Sequence, residues 1–81
     1  MNKEQLIELI NARLQKVNGG LKFEVVLDGV RQDQDWWYVP VIASRHGKDV
    51  PREVTVNIFA NVETELEEEN GVTVLFIPAV A

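Results

Sequence analysis

Pro40 stands in the middle of a run that otherwise has every mark of a β-strand, Trp36-Trp37-Tyr38-Val39-Pro40-Val41-Ile42. No other residue narrows the possible folds as much. Proline has no N–H to give to a ladder, so a sheet admits it at an edge strand or at a bulge. Read as an edge, Pro40 places its strand on the outside of the sheet. Side chains alternate along a strand, which puts Trp37, Val39, Val41 and Ala43 on one face and Trp36, Tyr38, Pro40 and Ile42 on the other. The first set is apolar and suits a core. The second carries two aromatics with polar handles, the residue types most enriched at interface hot spots.

The segments around this strand have simple patterns. Asn2 and Gln5 have the spacing of a capping box. Leu6, Ile7, Leu9, Ile10, Leu14 and Val17 then recur at intervals of three and four, predicting an amphipathic helix that Asn18-Gly19-Gly20 ends. Leu21, Phe23, Val25 and Leu27 alternate with Lys22, Glu24, Val26 and Asp28, which reads as a half-buried strand. Gly29 relaxes or bulges it before Val30. Arg31 to Asp35 is a polar connector into the tryptophan strand. From Glu53 to Ile58 the local alternation favours a strand, but Val54 or Thr55, then Ile58, Val62 and Leu66, with Phe59 beside them, keep a helical spacing over a longer window. With Pro51 at its start and Asn70-Gly71 at its stop, the window predicts a helix over 51–69, with Asp49 as its N-cap. Val72 to Ile77 is a last strand closed by Pro78.

The expected fold is therefore α+β in the order α-β-β-α-β, a single domain over 1–81. With Pro40 at an edge, the sheet is three-stranded and antiparallel in the order 2-1-3, and both helices lie on one face. Those helices cover Phe23, Val25, Leu27, Trp37, Val39, Val41, Val74 and Phe76. Nothing remains in the chain to cover the opposite face, which carries Lys22, Glu24, Val26, Asp28, Trp36, Tyr38, Ile42, Thr73, Leu75 and Ile77.

The Trp-Tyr-Val-Pro-Val strand at Trp37 to Val41, together with a helix ending in an acidic run, a glycine and an apolar strand closed by proline (Leu66 to Pro78), resembles a group of short bacterial proteins of uncharacterised activity. The resemblance covers the C-terminal half. It implies a bacterial cytoplasmic protein and a helix at 51–69, and brings no activity with it. The element order is also similar to a shortened type II KH domain. That family clamps nucleic acid with Gly-x-x-Gly, and Gly47-Lys48-Asp49-Val50 lacks the second glycine, so the function is not carried over.

Composition removes several chemistries. With no cysteine, the 81-residue chain has no disulfide scaffold and no thiol nucleophile. His46 is the sole histidine, with no partner for a transition-metal site. The net charge of −5 opposes phosphate backbones and anionic lipid. Residues 1–20 are amphipathic and mixed in charge, unlike a signal peptide, and no apolar run reaches membrane-spanning length. A cytoplasmic protein is expected, with no cofactor, no metal and no membrane.

Three constellations remain. Ser44, His46 and Asp49 are nucleophile, base and acid types, but such residues are common in loops and a triad needs a scaffold and an oxyanion hole, so no catalytic role is assigned and no enzyme is expected. Arg45, Lys48 and Arg52 flank the start of the second helix, where free N–H groups favour an anion; the plainer reading is a solvated basic loop. Glu63, Glu65, Glu67, Glu68 and Glu69 crowd the end of that helix, where carboxylates oppose the macrodipole, and a solubility face is the plainer reading there too. The expected function is a non-enzymatic protein-interaction or self-association module that uses Trp36, Tyr38, Ile42 and Leu75 on the open face, toward a protein partner or a second copy. The alternative is a small anion- or nucleic-acid-associated domain using the basic loop 45–52.

Overall fold

The computed structural model describes residues 2–17, 20–45 and 47–79, with Asp49 through its backbone alone. In chain order it contains α1 (Lys3–Gln15), β1 (Leu21–Val25), a 3₁₀ turn (Leu27–Gly29), β2 (Arg31–Asp33), β3 (Trp36–Arg45), β4 (Lys48–Asp49), α2 (Arg52–Asn70) and β5 (Thr73–Ala79). The α+β class is as expected from the patterning. The strand order is not.

β3, the tryptophan strand, is central. β1 and β2 pair antiparallel along one of its edges, and β5 pairs parallel along the other, with Trp36 level with Thr73 and Ile42 with Ala79. β4 folds back on the end of β3, Arg45 facing Lys48, through a turn that includes Gly47 at φ 75°. The expected order 2-1-3, antiparallel throughout, is therefore corrected to a mixed sheet with β3 in the middle. The reason lies at Pro40. β1 pairs with β3 up to Val25–Val41, and β2 resumes at Arg31–Tyr38, so five residues of the outer strand face two of β3. The excess bulges out as the 3₁₀ turn, opposite Pro40. The Pro40 carbonyl accepts the Val26 N–H at 2.9 Å, which shows that Pro40 directs its backbone to this edge. The N–H it lacks would have met the bulge, where no ladder partner waits.

The bulge also changes the core. Leu27, expected inward, turns out and is 54% exposed, while Val30 enters the core. Arg31 to Asp33 is strand rather than loop, and Gln34-Asp35 makes the tight turn into β3, with Gln34 at φ 57°.

Both helices pack on the face of Val39, Val41, Val74 and Phe76. α1 contributes Leu6, Ile10 and Leu14, and α2 contributes Phe59, Val62 and Leu66. The ring of Phe59 lies 6.2 Å from that of Phe23 on β1 and 5.1 Å from that of Phe76 on β5, so one α2 side chain ties both outer strands over β3. Such aromatic pairs add about 0.5–1.5 kcal/mol each beyond their area burial.

Local chemistry sets the helix ends. The capping box is made on both sides: the Gln5 N–H donates to Asn2 Oδ1 at 2.8 Å and the Asn2 N–H to Gln5 Oε1 at 3.0 Å. α1 ends at Gln15, with Lys16 as its cap. Asn18 and Gly19, expected to end it, lie outside the described residues. At the far end of α2, Gly71 at φ 66° lets its own N–H and that of Val72 bond back to Glu67 and Leu66. The N-cap of α2 is Pro51, with no side-chain cap bond, and Asp49 instead sits in the β4 ladder. The expectation of Asp49 as N-cap is corrected on that ground.

Candidate functional site

The face of the sheet away from the helices is built from alternate residues of three neighbouring strands. On β3 these are Trp36, Tyr38, Pro40 and Ile42. Register places Thr73, Leu75 and Ile77 of β5 beside Trp36, Tyr38 and Pro40. On the other side, Asp33, Arg31 and Glu24 stand level with Trp36, Tyr38 and Ile42, and Lys22 with Ser44. Among the large apolar residues, Trp36 is 47% exposed, Leu75 41% and Ile77 37%. Tyr38 is half-buried, with the Arg31 guanidinium 5.3 Å from its ring centroid.

The four residues expected on this face, Trp36, Tyr38, Ile42 and Leu75, are brought together. The corrected strand order draws them closer than the expected one, since Leu75 becomes the immediate neighbour of Tyr38 rather than a residue two strands away. Trp37, on the opposite face, is half-buried and packs against the core cluster. Arg31 escaped sequence reasoning because its stretch looks like a connector. Only the pairing across the bulge makes it a strand residue.

The edge of β5 is guarded. Alternate residues point their N–H groups to the same edge, and the Phe76 N–H points outward, donating to the Glu63 carboxylate of α2 at 2.8 Å. Pro78, next on that edge, has no N–H. Among the described residues of that edge Val74 alone keeps a free donor, so β5 makes a poor template for an added strand. Glu63 sits among Val56, Phe59, Ala60, Leu75 and Phe76. Burial raises its carboxyl above the ordinary value of 4.5, and the Phe76 hydrogen bond only partly offsets this. No local sequence signal marks Glu63 for this task. Two more carboxylates of the acidic run also have a partner, since Arg13 of α1 pairs with Glu65 at 3.5 Å and with Glu69. The reading of Glu63 to Glu69 as a plain solvated face is corrected to that extent, and Glu67 and Glu68 fit it still.

Arg45, Lys48 and Arg52 are exposed. Arg45 shares the helix-side face with Val41 and Ala43, and Arg52 borders a cleft of about 310 Å³ lined also by Val41, Val50, Thr55 and Pro78. This basic group is thus on the other side of the sheet from Trp36, and the two candidate surfaces are separate. The Thr55 hydroxyl already donates to the Pro51 carbonyl at 3.4 Å. Ser44 is half-buried and level with Asp49 in the β3–β4 ladder, and His46 lies outside the described residues. Among the described residues, no helix is long and apolar enough to cross a membrane.

No family model, curated protein or solved structure matches the chain.

Proposed function

We propose that this protein is a non-enzymatic protein-interaction module that binds through the open face of its sheet. The observation that carries the reading is the contiguous group of Trp36, Tyr38, Leu75 and Ile77, on adjacent strands and uncovered by either helix. A three-stranded face with apolar side chains in contact is surface that a monomer in water has reason to bury. The edges support the same reading. Glu63 and Pro78 blunt β5, and the 3₁₀ turn splits the β1–β2 edge, so strand addition is disfavoured and docking on the face is what remains. Trp36 and Tyr38 offer large contact area at little cost in side-chain entropy, the usual anchors of such a surface.

Site-specific photo-crosslinking in cells that produce the protein tests this. A photoreactive residue at position 75 is expected to give a defined adduct. The same residue at position 57, also exposed but on the side of α2 away from the sheet, is expected to give none. Equal labelling at both positions, or none at either, ends the reading.

A further inference from the structure

On the reading of the open sheet as a binding face, we infer that its occupant is a second copy of this chain, stacked face to face about a two-fold axis that crosses the strands over Pro40. The charges beside β3 carry the inference. Lys22 is level with Ser44, Glu24 with Ile42, Arg31 with Tyr38 and Asp33 with Trp36, while Pro40 lies midway opposite the 3₁₀ turn. Along the ladder-paired residues of the column the signs run plus, minus, plus, minus. Reversing the strand direction about Pro40 maps this column onto its own complement. Lys22 meets Asp33 of the second copy and Glu24 meets Arg31, and by symmetry each pair occurs twice. All four contacts join opposite charges.

The same operation treats the apolar side consistently. It lays β5 on β5, with Ile77 against its own copy at the axis because Ile77 is level with Pro40. Tyr38 falls against Ile42, and Leu75 against Ala79. A two-fold axis parallel to the strands would instead lay Leu75 and Ile77 over the charged column, which desolvates charge without pairing it. Two stacked sheets with their strands nearly aligned are a common packing.

Net charge opposes self-association in general: the chain carries −5, so two copies repel at most orientations. The two positive and two negative side chains paired beside β3 cancel one another, which makes this face less repulsive than the acidic end of α2. Its size sets the strength. Three strands spaced by about 4.8 Å and about seven residues at about 3.3 Å each give a footprint of roughly 14 by 23 Å, below the size of a standard specific interface. A weak, transient dimer is therefore expected, populated only toward millimolar concentration.

The charge pattern gives a test that no other occupant passes. Within one chain Glu24 and Arg31 are four positions apart along β3, roughly 13 Å, too far to pair with each other. Between copies they are partners. Sedimentation equilibrium of the purified chain from micromolar to millimolar concentration is expected to show a shift from one chain mass to two. Arg31→Glu, which sets Glu against Glu24 at two symmetric contacts, is expected to raise the dissociation constant at least tenfold. The swapped pair Glu24→Arg with Arg31→Glu is expected to return it to within about threefold of the parent, as charge complementarity across an interface requires. Ile77→Lys, which brings two ammonium groups together at the axis, is expected to abolish the dimer. Circular dichroism of each variant checks that these exposed substitutions leave the monomer folded. A parent chain that stays monomeric at millimolar concentration overturns the inference, as does a dimer that Arg31→Glu leaves unchanged or that the swapped pair fails to restore. If the chain is monomeric while the residue at position 75 crosslinks to a different protein, the second copy is excluded and the binding face stands.

Discussion

Gly29 lies so close to Pro40 that a Cβ on the glycine would sit 2.8 Å from the proline Cγ. The bulge and the proline are thus two halves of one device. Pro40 cannot complete a ladder on that edge, and the turn that replaces the ladder packs its bare glycine on the ring. Gly29→Ala is expected to destabilise by about 1–3 kcal/mol through forced overpacking. Urea unfolding measures it; an unchanged midpoint would mean that the turn can shift away from the ring freely.

Glu63 gives an unusual pH dependence. Its carboxyl titrates above 4.5 because burial outweighs the Phe76 hydrogen bond, so the folded chain holds this proton more tightly than the unfolded chain. The stabilising contribution of the group is complete below its unfolded value and is lost as pH rises through the raised folded value. Glu63→Gln keeps the acceptor and removes the charge. It is expected to match the parent in acid and exceed it in stability at neutral pH. Glu63→Ala leaves the Phe76 N–H without its partner and is expected to cost about 1 kcal/mol. A carboxyl NMR titration that puts Glu63 at or below 4.5 would refute this account.

The acidic helix end is not uniform. Arg13 holds Glu65 and Glu69, and its guanidinium also donates to Asn70 Oδ1 at 3.4 Å, whereas Glu67 makes no ion pair among the described residues. Glu69→Lys is therefore expected to cost about 0.2–1 kcal/mol, the range of exposed pairs. Glu67→Lys is expected to leave stability unchanged or raise it, since repulsion and an unfavourable dipole interaction are both removed. The gap between the two variants should narrow in high salt. Equal effects at the two positions would show that the Arg13 contacts carry no weight in solution.

The adjacent tryptophans have different tasks. Trp37 is half-buried against the core beneath the helices, and Trp36 stands on the open face. Trp37→Ala is expected to cost about 3 kcal/mol, the low end for a large core aromatic because the ring is not fully enclosed. Trp36→Ala is expected to cost less than about 1 kcal/mol in the monomer. In variants retaining one tryptophan, Trp36 emission should be quenched more readily by iodide or acrylamide in dilute solution. Equal quenching of the two would contradict the face assignment.

Periodicity along the chain was enough to determine the helices and, outside the stretch from Leu27 to Asp33, the strand alternation and the choice of faces. The capping box at Asn2 and Gln5, the helix from Arg52 and the stop at Gly71 each depend on residues within a turn or two of one another. So does the division of Trp36 from Trp37, because neighbouring side chains on a strand must diverge. Tertiary structure decided which strand is central. A proline in a strand has one local signature whether its missing N–H faces solvent or a bulge, and the choice rests with Gly29 and the length of the 3₁₀ turn on another strand. Placing β5 beside β3 made Leu75 the neighbour of Tyr38 and left the Phe76 N–H for Glu63 to accept. Arg13 with Glu69, and Arg31 with Tyr38, belong to the same class. Each pair forms only after the backbone has brought distant segments together, and pairing of that kind leaves no period in the sequence.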